Sequence, residues 1–443
     1  MIRKLLAVLL FALTLNYTLK AQDINKAKLD SFFHALSLHN QGMGSVAVSI
    51  GGMLVYQKAI GYSEIKDDIK IPATVNTKYR IGSITKMFTT TMIFQLVEEG
   101  KLSLSSPLSA WFPTIPNAEK ITIGEMLDHH SGLHNFTNDP LYLTYMTKPQ
   151  TEAAMLNNIE KSASDFEPGA KGEYSNTNFV LLGYIIEKIT GKPYREELKK
   201  RITSKIGLND TYYGGKANPA NNEAYSYSFA GKWQQQPETD MSIPGGAGAI
   251  VSTPADLDKF IEALFAGKLI SKSSLDQMKT LKDSYGMGMF VIPFYDKKSY
   301  GHSGGIDGFS SILAYFPEDN LAVSYLSNGT AYSIKDVLIA LLSIYFNKPF
   351  NIPLFTTIEL KTEQLDKYLG NYASTQLPLK IAITKDNTTL VAQATGQAQL
   401  ALEAVGTDKF VYNQAGIVIQ FDTSKNEFTL YQGGKTYLFT KEK

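Results

Sequence analysis

Arg80-Ile81-Gly82-Ser83-Ile84-Thr85-Lys86, continuing through Met87-Phe88-Thr89-Thr90-Thr91-Met92-Ile93-Phe94-Gln95-Leu96-Val97 to Gly100, is the stretch on which the reading of this chain turns. The run after Lys86 is apolar on most sides, which predicts a buried helix that stops at Gly100. Ser83 stands at its start, where backbone N–H groups lack partners and the helix dipole is positive. A serine placed there can aim its own N–H at a developing oxyanion. Residues three apart share a helix face, so Lys86 Nζ can reach Ser83 Oγ. Burial of that face would pull the lysine below its usual pKa of about 10.4 and leave a neutral amine able to take the serine proton. Taken alone, the stretch reads equally well as an ordinary capped helix, with Ser83 as N-cap and Lys86 exposed in the first turn. A second Ser-x-x-Lys, Ser63-Glu64-Ile65-Lys66, lies in a polar stretch ahead of Pro72 and predicts only a turn.

Two further motifs follow at wide spacing. Tyr174-Ser175-Asn176 comes after the turn-rich Glu167-Pro168-Gly169 and before a helix predicted from about Asn178 to Thr190, closed by Gly191 and Pro193. A tyrosine hydroxyl there can relay protons to a leaving group, and an asparagine amide can orient a lysine or bind a carbonyl. The alternative is a tyrosine that packs the loop, with Asn176 as a cap; Tyr-x-Asn also recurs at Tyr345-Phe346-Asn347. His302-Ser303-Gly304-Gly305 precedes strands predicted at Ser311 to Phe316 and Leu321 to Ser327. Its glycines suit a close backbone approach, and the Gly305 N–H is a candidate second oxyanion donor. His302 is a candidate for an acidic group on the substrate, or merely the cap of a glycine-rich turn.

The order Ser-x-x-Lys, Tyr-x-Asn, then a basic residue followed by small ones resembles the penicillin-recognising serine enzymes. The Tyr-x-Asn form is similar to the class C beta-lactamase branch, with its D-alanyl-D-alanine carboxypeptidases, D-aminopeptidases and esterases. Met126-Leu127-Asp128-His129-His130-Ser131-Gly132-Leu133 and Gly246 to Leu257 also resemble family segments, and the likeness runs from about Gly44 to Phe346. The resemblance implies an α/β (α+β) beta-lactamase/transpeptidase-like fold, a central antiparallel sheet flanked by helices beside a helical region. It implies an acyl-enzyme path in which Ser83, Lys86 and Tyr174 are catalytic. Asn176, His302, Ser303, Gly304 and Gly305 would hold substrate, with Ser83 and Gly305 as the oxyanion donors. Many beta-lactamases carry lysine where His302 stands, and histidine is fully charged only below about pH 6.5. That departure favours a peptidase or esterase acting on D-amino-acid peptides or small esters. A beta-lactamase, or a non-catalytic protein binding cell-wall fragments on the same fold, is the alternative.

Composition bounds the rest. In 443 residues there are 43 Lys plus Arg, 42 Asp plus Glu and no cysteine. Near-zero net charge gives no support to nucleic-acid binding, and the missing cysteines exclude disulfides, thiolate catalysis and Cys-based zinc sites. The partner expected is a small-molecule or peptide substrate; no cofactor or metal is implied, and the oligomeric state is left open. Arg3-Lys4, the apolar Leu5 to Leu15 and the small Ala21 read as a secretory signal over residues 1–21, which points to a secreted or periplasmic bacterial protein with no membrane span after cleavage. Residues 22–350 form the expected hydrolase domain. It opens with a helix near Asp23 to His39 and a hairpin, Gly44 to Ile50 and Met53 to Ile60, joined at Gly51-Gly52. Beyond it, short strand patterns (Leu379 to Thr384, Thr389 to Ala394, Ile417 to Asp422, Phe428 to Gln432, Thr436 to Thr440) predict an all-β, barrel-like domain at 358–443. His129, His130 and His134 lack a His-Glu-x-x-His pattern and read as a structural loop. Gly245 to Gly248 lacks the Lys-Ser/Thr of a phosphate loop, and Thr253-Pro254-Ala255-Asp256 reads as a helix start. Tyr225, Tyr227 and Trp233 are either cleft or packing residues.

Overall fold

A six-stranded antiparallel sheet forms the centre of the computed structural model, which describes residues 24–442 apart from 68, 356, 357, 433 and 434. The signal expected at 1–21 lies outside the described residues. Strands β1 (Gly42–Ile50) and β2 (Met53–Ile60) make the expected hairpin. Strands β3 (Phe290–Phe294), β4 (Lys297–Ile306), β5 (Phe309–Phe316) and β6 (Leu321–Thr330) complete the sheet in the order β3-β4-β5-β6-β1-β2. The first and last thirds of the domain meet where β1 pairs with β6, Val46 opposite Tyr325.

Both faces of the sheet are covered, so β1 is buried along nearly its whole length. On one face Val46 and Val48 pack with α1 (Lys26–Leu38) and α5 (Ile334–Tyr345). On the other, Ser45 and Ser49 of the opposite parity meet Tyr79 and Asp258. Asp258 lies on α4 (Pro254–Phe265), which starts with Thr253 capping Asp256 N and proline in its first turn, as expected. Beyond α4 lies the helical region, whose core holds α2 (Thr85–Glu98) and α3 (Asn176–Thr190). Every residue of α2 from Thr85 to Leu96 is buried. The second Ser-x-x-Lys is corrected: Tyr62–Lys66 is not a turn but one strand of a ribbon with Ile69–Pro72, and Ser63 Oγ donates to Ile71 O.

The C-terminal strands close into an eight-stranded antiparallel barrel, each pairing with the next and the first with the last, Tyr372 opposite Lys441. Inward residues at every second position fill it, as with Ile381 and Ile383, or Phe428 and Leu430. The five predicted segments are strands. Three more, Gly370–Ala373, Leu400–Gly406 and Lys409–Tyr412, complete the ring. No helix among the described residues is long and apolar enough to cross a membrane.

Candidate active site

Ser83 sits in a short 3-10 turn, Gly82–Ile84, that runs into α2. Gly82 has φ +50, a left-handed conformation that a side chain resists, and a Cβ there would lie 2.8 Å from Gly305 N. The reading of Ser83 as an N-cap is overturned: the helix start has no side-chain cap bond, and Lys86 is fully buried.

Lys86 Nζ lies 3.0 Å from Ser83 Oγ, 2.7 Å from Asn176 Oδ1 and 2.9 Å from Ala247 O. Tyr174 donates its hydroxyl to Ser83 Oγ at 2.8 Å. Nζ also stands over the rings of Tyr174 and Phe179, at 4.9 and 5.5 Å. Among the described residues no carboxylate pairs with it. Burial therefore goes uncompensated and drives the Lys86 pKa well below the usual lysine range. Burial also raises the Tyr174 phenol, so it is a proton donor at neutral pH.

Each partner has its own support. Asn176 opens α3, two residues earlier than the sequence suggested, and its N–H donates to Asn135 Oδ1 at 3.1 Å. Its Nδ2 donates to Thr137 Oγ1, which turns Oδ1 towards Lys86. Ala247 belongs to a glycine-rich helical turn, Gly245–Gly248, pressed onto α3: a Cβ on Gly246 would come within 2.5 Å of Phe179 O. That close approach brings the Ala247 carbonyl to the amine. Tyr174 lies among rings, 4.4 Å from His129 and 6.3 Å from His302 between centroids. His129 Nδ1 accepts from the N–H of Ser175, anchoring the tyrosine's own backbone.

Gly305 faces Ser83 through register. The two-residue turn Asp307-Gly308 makes Ile306 and Phe309 the bonded pair, so Gly305 opposite Ser310 points its N–H away from β5. Gly305 and Ser83 both line the cleft, a space of about 80 Å³ walled by Phe136, Thr137, Pro244 and Ile306. Gly304 packs against the loop that carries Ser83, where a Cβ would lie 2.0 Å from Ile81 O. Ser303 is exposed, outside the cleft lining.

His302 stands elsewhere than a substrate-gripping cation would. It is 2% exposed, its ring is 4.7 Å from that of Phe290, its Nδ1 is on Ser303 O, and its Nε2 has no partner. Burial, then the nearby Lys86, lower its pKa to about 3, so it is neutral under any ordinary condition. His130 is engaged with Asp128 and Asp283, and His134 with Asp165. Tyr227 is buried and donates to Ile65 O, Trp233 packs on Phe229, and neither they nor Tyr225 line the cleft. Sequence reasoning missed Ala247, a backbone contact marked only by its flanking glycines, and the Phe136-Thr137 wall, which carries no motif.

With this arrangement in view, comparison with known proteins is decisive. A family model described as Beta-lactamase matches residues 37–340. The chain belongs to the beta-lactamase family. It is thus a serine hydrolase of the kind related to penicillin-binding proteins. It is 28% identical to penicillin-binding protein 4* of Bacillus subtilis (strain 168), over 93% of this chain and 97% of that one, so the likeness includes the barrel region. It is 28% identical to the teichoic acid D-alanine hydrolase of Staphylococcus aureus (strain MRSA252), over 75% of this chain and 81% of that one. The D-amino acid amidase of Ochrobactrum anthropi SV3, solved with L-phenylalanine, superposes with a TM-score of 0.63 at 29% identity, covering 72% of this chain and 99% of that one.

Proposed function

We propose that Ser83, Lys86 and Tyr174 are the catalytic group of a hydrolase that cleaves amides or esters of D-amino acids through an acyl-enzyme on Ser83. The observation that carries this is one oxygen, Ser83 Oγ, held 3.0 Å from a buried amine and 2.8 Å from a buried phenol. The protonation state follows from burial, which disfavours the ammonium with no carboxylate to compensate it. A neutral amine has two N–H groups and one lone pair. Asn176 Oδ1 and Ala247 O take the two hydrogens, which leaves the lone pair for the Ser83 proton. Ser83 Oγ attacks the carbonyl as its proton passes to Nζ, and a C–O bond forms. The oxyanion collects on the N–H groups of Ser83 and Gly305. Tyr174 then gives its proton to the leaving nitrogen or oxygen as that bond breaks, and Lys86 restores the phenol's proton. Water attacks the ester in a second round, and Ser83 is freed.

The D-amino acyl class is supported by the names of the relatives: a D-alanine hydrolase and a D-amino acid amidase. A small amide or ester is preferred over a carboxylate-bearing beta-lactam because none of the cleft-lining residues among those described is ionisable and His302 is uncharged. The basic, then apolar N-terminus supports action outside the cytoplasm, where D-amino acyl groups of the cell wall are found. A fluorophosphonate label located by mass spectrometry, with turnover of D-alanine p-nitroanilide, a p-nitrophenyl ester and nitrocefin, tests the proposal. Label on Ser83, none in Ser83→Ala, and turnover of the first two substrates ahead of nitrocefin are expected. Equal labelling of both proteins would end it.

A further inference from the structure

The side chains of Arg80 and Asp307 are buried, and each residue stands near one of the two proposed oxyanion donors in sequence. Arg80 precedes Gly82-Ser83, and Asp307 follows Gly305-Ile306. The Arg80 side chain is 3% exposed and that of Asp307 0%. One guanidinium nitrogen donates to Asp307 Oδ2 at 2.8 Å and to Thr239 O at 2.9 Å. The other donates to Glu238 Oε2 at 2.8 Å and to Gly215 O at 2.9 Å. Asp307 Oδ1 accepts from both Thr239 N and Thr239 Oγ1. Four of the five guanidinium N–H groups are thus committed within the network. From the far side the Asp307-Gly308 turn is pinned as well: Gly308 N donates to Ser226 Oγ, and a Cβ on Gly308 would meet Tyr227 N at 2.9 Å.

We infer that the Arg80–Asp307 pair is a positioning device that sets the gap between the Ser83 and Gly305 N–H groups. The inference rests on the proposed acyl-enzyme mechanism. The two donors belong to different elements, the 3-10 turn and the end of β4, and no backbone ladder joins them. Two fasteners do. Ser311 Oγ donates to Ile81 O at 2.7 Å, tying β5 to the loop that carries Ser83. The Arg80–Asp307 pair ties the β4–β5 turn to the same loop one residue earlier. Between them the backbones touch, with Gly304 against Ser83 N and Gly305 against Gly82. A buried ion pair is a poor source of stability against an apolar replacement, while removing one partner leaves the other buried and uncompensated, so the contact has a reason to hold. A donor pair displaced by a fraction of an ångström loses transition-state stabilisation while leaving ground-state binding alone.

The test uses the full chain and Asp307→Asn, Arg80→Lys and Glu238→Gln. The last alters the partly exposed end of the network and is the variant most able to fold. Each is titrated with a fluorophosphonate, so that kcat refers to folded, reactive Ser83, and assayed with a p-nitrophenyl ester. Loss of one oxyanion donor costs about 10²–10³ in kcat, so a displaced pair should lose roughly tenfold to a hundredfold, with KM within about threefold of wild type. Glu238→Gln should show the smallest loss and Asp307→Asn the largest. A structural role alone would lower the melting temperature and the titratable fraction, yet leave kcat per titrated serine unchanged. Unchanged kcat in the folded variants, beside a labelled and active wild type, overturns the positioning role only. A wild type that takes no label overturns the nucleophile assignment, and this inference with it.

Discussion

Lys86 is the residue whose chemistry the surroundings define most tightly. Its Nζ has three oxygens in reach, those of Ser83, Asn176 and Ala247, and no carboxylate among its described partners. Lys86→Arg keeps a charge and length but cannot become neutral at working pH. It should lower kcat by at least about a thousandfold, since general-base help is worth about 10²–10⁴ and the cation also disturbs Ser83; steady-state ester hydrolysis reads this directly. The downward pKa of Lys86 sets the sign of the wild-type pH profile: activity rises with pH as the amine loses its proton, then levels off. His302, held near a pKa of about 3, should add no imidazole step between pH 5 and 9. His302→Gln that removed an acid limb in that range would contradict its neutrality. The meeting of Ser83 with Lys86 was legible because residues three apart share a helix face. The state of His302 was not, because its parity on β4 and the Phe290 ring that dehydrates it belong to tertiary structure.

At the scale of the element, α4 carries a group the mechanism does not use. Asp258 is fully buried, its Oδ2 accepts from Ser49 Oγ at 3.0 Å, and its Oδ1 has no partner. Burial raises its pKa well above the usual carboxylate value. The folded state thus binds a proton that the unfolded chain releases above about pH 4. The stability tied to that proton is complete below the unfolded pKa and is lost as pH rises through the folded one. Asp258→Asn should be more stable than wild type, by a margin that widens as pH rises from 4 to 8, in urea melts at each pH. A constant margin would mean the carboxyl is ionised in the fold. The elements also show what a single sequence reveals. The hairpin β1–β2 was marked by Gly51-Gly52 between apolar runs. Barrel strands with strong alternation, such as Ile417–Asp422, were visible. Leu400–Gly406 and Lys409–Tyr412 were not: one is alanine-rich with a register shift between Ala404 and Gly406, the other spans four residues.

Over the whole molecule, the barrel has a core of its own, distinct from the two that flank the sheet. A cavity of about 1550 Å³ lies between barrel and hydrolase region, lined by residues such as Tyr332, Phe350, Lys409 and Tyr431 and by none of the Ser83 group. Separate cores predict separable stability. Phe428 is fully buried and packs against Tyr372, Phe421 and Phe439. Phe428→Ala should cost the barrel about 3–5 kcal/mol. In calorimetry one transition should fall while the other, and Ser83 labelling below it, stay in place; a single shared shift would show one cooperative unit.

The central claim is that burial keeps Lys86 uncharged beside Ser83, and the protonation of its Nζ can be watched directly. In protein carrying ¹⁵N at the lysine side chains, with Lys86→Arg to assign the signal, Nζ should titrate far below the lysines of a model peptide, whose value is about 10.4. A Lys86 signal that moves together with theirs would mean that a charged ammonium faces Ser83, and that the serine must find its base elsewhere.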